Sequence, residues 1–140
     1  MANNSTPRNA QLRVLVAEDF FGAAEILCAA LRRTGYECRF GKTGPEALGL
    51  AREWAPDVAL IDLEMPGMSG CDLARHLQAE HSDRIILIAL TGYGNIEYRE
   101  LAAAAGFILY LVKPLPFGEL DLYLSLFARE KAKCSAPPRA

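Results

Sequence analysis

Two stretches of this chain, Val58-Ala59-Leu60-Ile61 and Ile85-Ile86-Leu87-Ile88-Ala89-Leu90, are apolar at every position. A strand apolar on both faces must be covered on both faces, so helices lie on each side of a parallel sheet. Further runs at Val14-Leu15-Val16-Ala17 and Ile108-Leu109-Tyr110-Leu111-Val112 have the same character. Strand and helix patterns alternate five times, which predicts a doubly wound α/β fold of flavodoxin-like (βα)5 type with a five-stranded parallel sheet. A length of 140 residues holds one domain with a full core. The polar leads into a boundary: residues 1–11 read as a disordered N-terminal tail, 12–129 as the folded domain and 130–140 as a disordered C-terminal tail.

Local signals delimit the helices. Ile26, Leu27, Ala30 and Leu31 share one face of a helix over Gly22 to Thr34, with Gly35 placed to end it. Thr43-Gly44-Pro45-Glu46 fits a capping box with proline in the first turn, and Pro56 forbids continuation past about Trp54. Ser69 caps a third helix that turns Leu73 and Leu77 inward. A fourth starts near Asn95 and stops at Gly106. A fifth opens at Pro116 and reaches about Phe127 or Arg129. Its Leu120, Leu122, Tyr123, Leu124, Leu126 and Phe127 cover more circumference than one core stripe requires. Two readings stand for that excess: a well-buried short helix, or an exposed apolar strip for a homodimer or for docking.

Four of the five strands end on reactive chemistry. Glu18-Asp19 closes the first, Asp62 the third, Thr91 the fourth and Lys113 the fifth. In a doubly wound sheet, ligands bind beyond the carboxyl ends of the strands at the switch point of strand order. Carboxylates gathered there repel one another, and burial worsens the repulsion. A cation is therefore required, and oxygen ligands with phosphate suit Mg²⁺. The Thr91 hydroxyl can donate to a phosphoryl oxygen, and Gly92 lets that oxygen approach the backbone amide. Lys113 precedes Pro114, a bond with an appreciable chance of being cis, and a fixed turn there aims the ammonium at the acids. Taken singly, each residue has a plainer reading, from a loop-capping carboxylate to a surface lysine. The four matched strand ends favour the joint one.

Four segments together resemble the receiver domains of two-component response regulators: Val14-Leu15-Val16-Ala17-Glu18-Asp19, Leu60 to Gly70 (LIDLEMPGMSG), Ala89-Leu90-Thr91-Gly92, and Lys113-Pro114. The resemblance covers roughly residues 12–128 and implies strand order 2-1-3-4-5. It implies that Asp62 is the phosphoacceptor, taking a phosphoryl group from phosphohistidine on a histidine kinase or histidine phosphotransfer protein. Asp19 and Asp62 would ligate Mg²⁺, with the backbone carbonyl of Glu64 as a further ligand and Glu18 in the outer shell through water. Lys113 would neutralise phosphoryl charge. Thr91 and Tyr110 would form a switch that alters the surface of the fourth helix, fifth strand and fifth helix, read by a downstream protein target. Gly92, Glu64 and Tyr93 would flank the phosphoryl group. The chain departs from the common pattern at Ile108, where an acid is frequent, and at Phe20 and Phe21, where polar residues are usual. These departures bear on partner fit.

Other functions are weighed against this one. An Asp-nucleophile phosphatase of haloacid dehalogenase type needs a second Asp two residues after the nucleophile; Glu64 stands there. A flavin carrier needs a phosphate loop after the first strand, where Asp19-Phe20-Phe21 is found instead. The segment Ala89 to Gly94 resembles receivers of hybrid histidine kinases, so a free-standing regulator and a hybrid-kinase portion both stay open. After Lys113-Pro114 there is room for one helix and a tail, so direct DNA binding is not expected, and a net charge of −2 offers no long-range attraction to nucleic acid. The four cysteines are too scattered for a zinc site; Cys28 and Cys71 read as core residues. His76 and His81 read as solvated. With no signal peptide and no apolar run of membrane length, a cytoplasmic protein without membrane insertion is expected.

Overall fold

The computed structural model describes residues 12–135 apart from 21, 93 and 95. The strands are β1 (Arg13–Ala17), β2 (Glu37–Gly41), β3 (Val58–Asp62), β4 (Ile86–Thr91) and β5 (Leu109–Val112). The helices are α1 (Ala23–Thr34), α2 (Gly44–Trp54), α3 (Gly70–His81), α4 (Ile96–Ala104) and α5 (Phe117–Ser135). All strand pairs are parallel, and the order across the sheet is β2-β1-β3-β4-β5. The chain thus reverses direction across the sheet after β2, which puts the switch point between β1 and β3.

Alternation within the strands feeds two separate cores. Leu15, Ala17, Ala59, Ile61, Leu87 and Ala89 face α2, α3 and α4. Val14, Val16, Val58, Leu60, Ile88 and Leu90 face α1 and α5. Every residue of β3 is buried, as expected of a central strand covered on both sides. The free thiols of Cys28 on α1 and Cys38 on β2 are both buried. Cys71 is only half-buried.

The capping signals act largely as predicted. Thr43 Oγ1 accepts the Glu46 N–H at 3.2 Å, and Ser69 Oγ accepts that of Asp72 at 3.1 Å. The capping box is displaced by one residue, however: Glu46 Oε1 accepts from Lys42 N–H at 2.8 Å rather than from the cap's own N–H. Gly35 and Gly106 close α1 and α4 with φ of 109° and 104°, a conformation glycine adopts without steric penalty.

Three expectations need correction. On α1 the inward face is Ala24, Leu27, Cys28 and Leu31; Ile26 is 72 % exposed. α5 does not stop at Arg129 but continues to Ser135. Lys131 Nζ reaches back to Asp57 Oδ2 at 2.8 Å, and this bond to the opposite end of the sheet holds the last turns in place. The predicted tail therefore begins inside a helix. His81 is not solvated: it is half-buried, with Nε2 inaccessible and without a hydrogen-bond partner among the described residues. The excess apolar surface of α5 divides in two, since Leu120 and Leu124 are fully buried whereas Leu122 and Leu126 are exposed. The 1–11 lead lies outside the described residues. No described helix is long and apolar enough to cross a membrane.

Candidate functional site

The carboxyl ends of β1, β3, β4 and β5 deliver the polar residues to one edge of the sheet. β1 ends at Ala17, paired with Ile61 of β3, so Glu18 and Asp19 emerge beside Asp62. Asp62 pairs with Leu90, and Thr91 with Val112, which brings Lys113 level with them. The junction is tied by backbone hydrogen bonds: Leu63 N–H donates to Leu90 O at 2.9 Å and Lys113 N–H to Thr91 O at 2.7 Å. The Lys113–Pro114 peptide is cis. Helix α3 starts directly beneath the site. A Cβ at Gly70 would fall 2.6 Å from the carbonyl oxygen of Asp62, so only glycine permits this approach.

Carboxylate oxygens of Glu18, Asp19 and Asp62 all lie within 4.8 Å of one another. The Lys113 ammonium bridges two of the acids, 2.9 Å from Glu18 Oε1 and 3.2 Å from Asp62 Oδ2. The side chains of Glu18 and Asp62 are almost wholly buried, while Lys113 keeps about a third of its surface in solvent, 33 %. Glu18 also accepts the Phe20 N–H at 3.2 Å, and Asp62 Oδ1 accepts the Glu64 N–H at 2.9 Å.

Burial and neighbouring groups together shift the two buried acids in opposite directions. Desolvation, followed by the hydrogen bond shared with Asp62, pushes the pKa of Glu18 up to about 7. Asp62 moves the other way. Desolvation acts against its charge, but the Glu18 hydrogen bond, the Glu64 N–H and the Lys113 charge together hold its pKa below the usual value. The Lys113 pKa is raised, because its bonds to Glu18 and the charge of Asp62 outweigh the cost of burial. Negative charge is therefore favoured on Asp62 and disfavoured on Glu18. One ammonium among three acids leaves residual negative charge. Clustered oxygen ligands with that charge fit a hard divalent cation such as Mg²⁺.

Thr91 is fully buried. Its hydroxyl donates to Glu64 Oε2, and the neighbouring Gly92 N–H donates to Glu64 Oε1 at 2.9 Å. This double contact escaped the sequence reading; the available signal was an acid two residues beyond Asp62 together with a Thr-Gly pair on the next strand. Tyr110 stands apart from the cluster. It pairs with Ala89, two residues back from Thr91 along β4, and the Arg99 guanidinium from α4 lies 4.7 Å from its ring centre. Tyr93 lies outside the described residues.

A second feature also escaped the sequence reading. An apolar hollow of about 440 Å³ opens beside the acids, lined by Phe20, Ile26, Leu27, Leu115 and Phe117 among others, with Glu18 and Lys113 at its edge. Phe20 is 70 % exposed on its rim.

Comparison with known proteins places this geometry. The response regulator receiver domain profile matches residues 14–125. The two-component response regulator PhoP of Pseudomonas aeruginosa is 36 % identical over 121 residues, which cover 86 % of this chain and 53 % of PhoP. The DNA-binding response regulator MtrA of Mycobacterium tuberculosis is 35 % identical over 108 residues, 77 % of this chain and 46 % of MtrA. The chain thus spans about half the length of these curated relatives. The solved structure of chemotaxis protein CheY4 from Vibrio cholerae superposes with a TM-score of 0.78 at 26 % identity, covering 84 % of this chain and 99 % of that one.

Proposed function

The chain belongs to the response regulator receiver domain family, and from that premise we propose that Asp62 accepts a phosphoryl group from a phosphohistidine on a histidine kinase or histidine phosphotransfer protein. An Asp62 oxygen attacks phosphorus in line with the departing imidazole. The P–N bond breaks, its electron pair returns to the ring nitrogen, and that nitrogen takes up a proton. An ionised Asp62 needs no separate base. The transferring group has a loose transition state, so the work of the site is positioning and charge stabilisation.

Each side chain has a role in that step. Lys113, already 3.2 Å from Asp62 Oδ2, offsets charge on a phosphoryl oxygen. The Thr91 hydroxyl and Gly92 N–H are donors for the others. Mg²⁺, bound by Asp19, Asp62 and the backbone carbonyl of Glu64 with Glu18 through water, would supply the remaining positive charge. Each chain holds one phosphoryl group rather than turning over substrate, so the protein acts as a signalling phosphoacceptor. The observation that carries this reading is a buried Asp62 held by Lys113 within a carboxylate cluster. Acetyl phosphate with Mg²⁺ tests it: intact mass should show one phosphoryl group on the wild type and none on Asp62→Asn.

The donor must bring its imidazole to the edge where Asp62 opens, and so must cover the ground beside it. Phe20 and Ile26 offer a docking surface for apolar side chains there. On the output side, Thr91 turning toward the phosphoryl group would free space for Tyr110 to rotate inward, breaking its stack with Arg99. Helix α4 is lightly anchored, with Ala102 as its buried residue, so a small bias suffices to shift it. Leu101, Ile108, Leu122 and Leu126 are exposed on the elements from α4 to α5, giving a downstream protein or a second copy an apolar surface to read.

A further inference from the structure

We propose that Glu64 is an internal stand-in for the phosphoryl group: its carboxylate occupies the Thr91 hydroxyl and the Gly92 N–H, so phosphorylation of Asp62 requires its displacement. This rests on the phosphoacceptor reading above and adds a built-in competitor to it. The two oxygens of Glu64 divide between the two donors, Oε2 to Thr91 and Oε1 to Gly92. A carboxylate presents two oxygens on one centre much as a phosphate does, and both are charged acceptors.

Three features make the contact more than an accident of the surface. Thr91 is fully buried, so its hydroxyl must be partnered from within the fold, and Glu64 supplies a partner. Glu64 is also tied to the acceptor itself, since its N–H donates to Asp62 Oδ1 at 2.9 Å. The same short loop therefore holds the nucleophile and the group that occupies its phosphoryl donors. A tethered competitor acts at high effective concentration. Exit is nonetheless open: Glu64 is half-buried and Gly92 is exposed, so rotation of the Glu64 side chain carries the carboxylate into water while the backbone stays in place.

The protein is tested as the full chain, with Glu64→Ala, Glu64→Gln and Glu64→Asp beside the wild type. In metal-free protein, the Gly92 amide proton should move upfield in Glu64→Ala as its charged acceptor is lost. Labelling by acetyl phosphate with Mg²⁺, followed by intact mass, should be about tenfold faster in Glu64→Ala, the value of one charge-assisted hydrogen bond. The dissociation constant for beryllofluoride should fall by a similar factor. Glu64→Asp separates occupancy from charge: it keeps the charge but is one methylene too short to span both donors, and it should also label faster. An unmoved Gly92 amide, or wild-type labelling rates in both Glu64→Ala and Glu64→Asp, overturns the proposal while leaving Asp62 as acceptor. Absence of label on every form, wild type included, overturns the phosphoacceptor reading and this inference with it.

Discussion

Lys113 Nζ lies 3.2 Å from Asp62 Oδ2, although the two residues come from strands that do not touch: β4 stands between β3 and β5. The contact forms because both side chains reach past the end of β4 beside Thr91, where the proposed acceptor would hold a transferred group. On the proposed function, a cation at the acids and the ammonium on the same oxygens would be rivals before phosphorylation and allies during it.

That double role gives Lys113→Ala an unusual signature. Labelling by acetyl phosphate should slow by about 10²-fold, the scale for removing one preorganised charge from a transition state. Mg²⁺ affinity in the unphosphorylated protein should rise, because a competing positive charge has left the carboxylates. Intact-mass kinetics and a fluorescence or calorimetric Mg²⁺ titration measure the two effects separately. Slower labelling with weaker Mg²⁺ binding would instead point to a collapsed site.

Glu18 makes metal-free stability depend on pH. Its carboxyl titrates near 4.5 when unfolded and near 7 in the fold, so between those values the folded chain holds a proton that the unfolded chain has released. Stability should therefore fall as pH rises from about 4.5 to 7, and level off above. Urea unfolding at pH 5, 6, 7 and 8 in the presence of chelator reads this slope. Glu18→Gln, which cannot titrate, should flatten it, and saturating Mg²⁺ should restore stability most at the upper end.

The strand cores and their reactive ends were legible because continuous apolar runs and the residues that follow them are local facts. Val58–Asp62 was readable as a covered strand without its neighbours, and the acids, hydroxyl and lysine fell together once the sheet was parallel. What stayed hidden depends on contacts between distant segments. Helical spacing placed Ile26 with Leu27 and Ala30, but the core selected the Ala24-Leu27-Cys28-Leu31 stripe and left Ile26 on the rim of the hollow. Along α5, beyond the predicted end, Lys131 bonds to Asp57, 74 residues away. The Glu64 contact crosses from β3 to β4, and no periodicity encodes it.

The hollow beside the site predicts a difference between donors. A small molecule such as acetyl phosphate needs only the reactive edge, whereas a protein donor must also bury Phe20 and Ile26. The double substitution Phe20→Ala/Ile26→Ala should slow transfer from a phosphorylated histidine phosphotransfer protein by about tenfold or more, the scale of losing an apolar anchor from an interface centre. Labelling by acetyl phosphate should change far less. Equal slowing with both donors, measured by phosphate transfer on gels and by intact mass, would place the effect in the acid cluster instead.

Two glycines on successive helices should respond oppositely to the same substitution. At Gly70 an added Cβ would meet Asp62 O at 2.6 Å and Leu63 Cα at 2.8 Å. These are backbone atoms that cannot rotate aside, so Gly70→Ala must push α3 away from the end of β3, at a cost of about 1–3 kcal/mol. Because the atoms displaced belong to the peptide of Asp62, the proposed acceptor, labelling of Asp62 should slow as well. At Gly49, inside α2, an added Cβ meets nothing within 4 Å. Gly49→Ala should stabilise the protein by about 0.5–1 kcal/mol through helix propensity alone, with unchanged labelling. Paired urea unfolding and acetyl phosphate kinetics check both outcomes. A neutral Gly70→Ala would show that α3 does not fix the position of the acceptor.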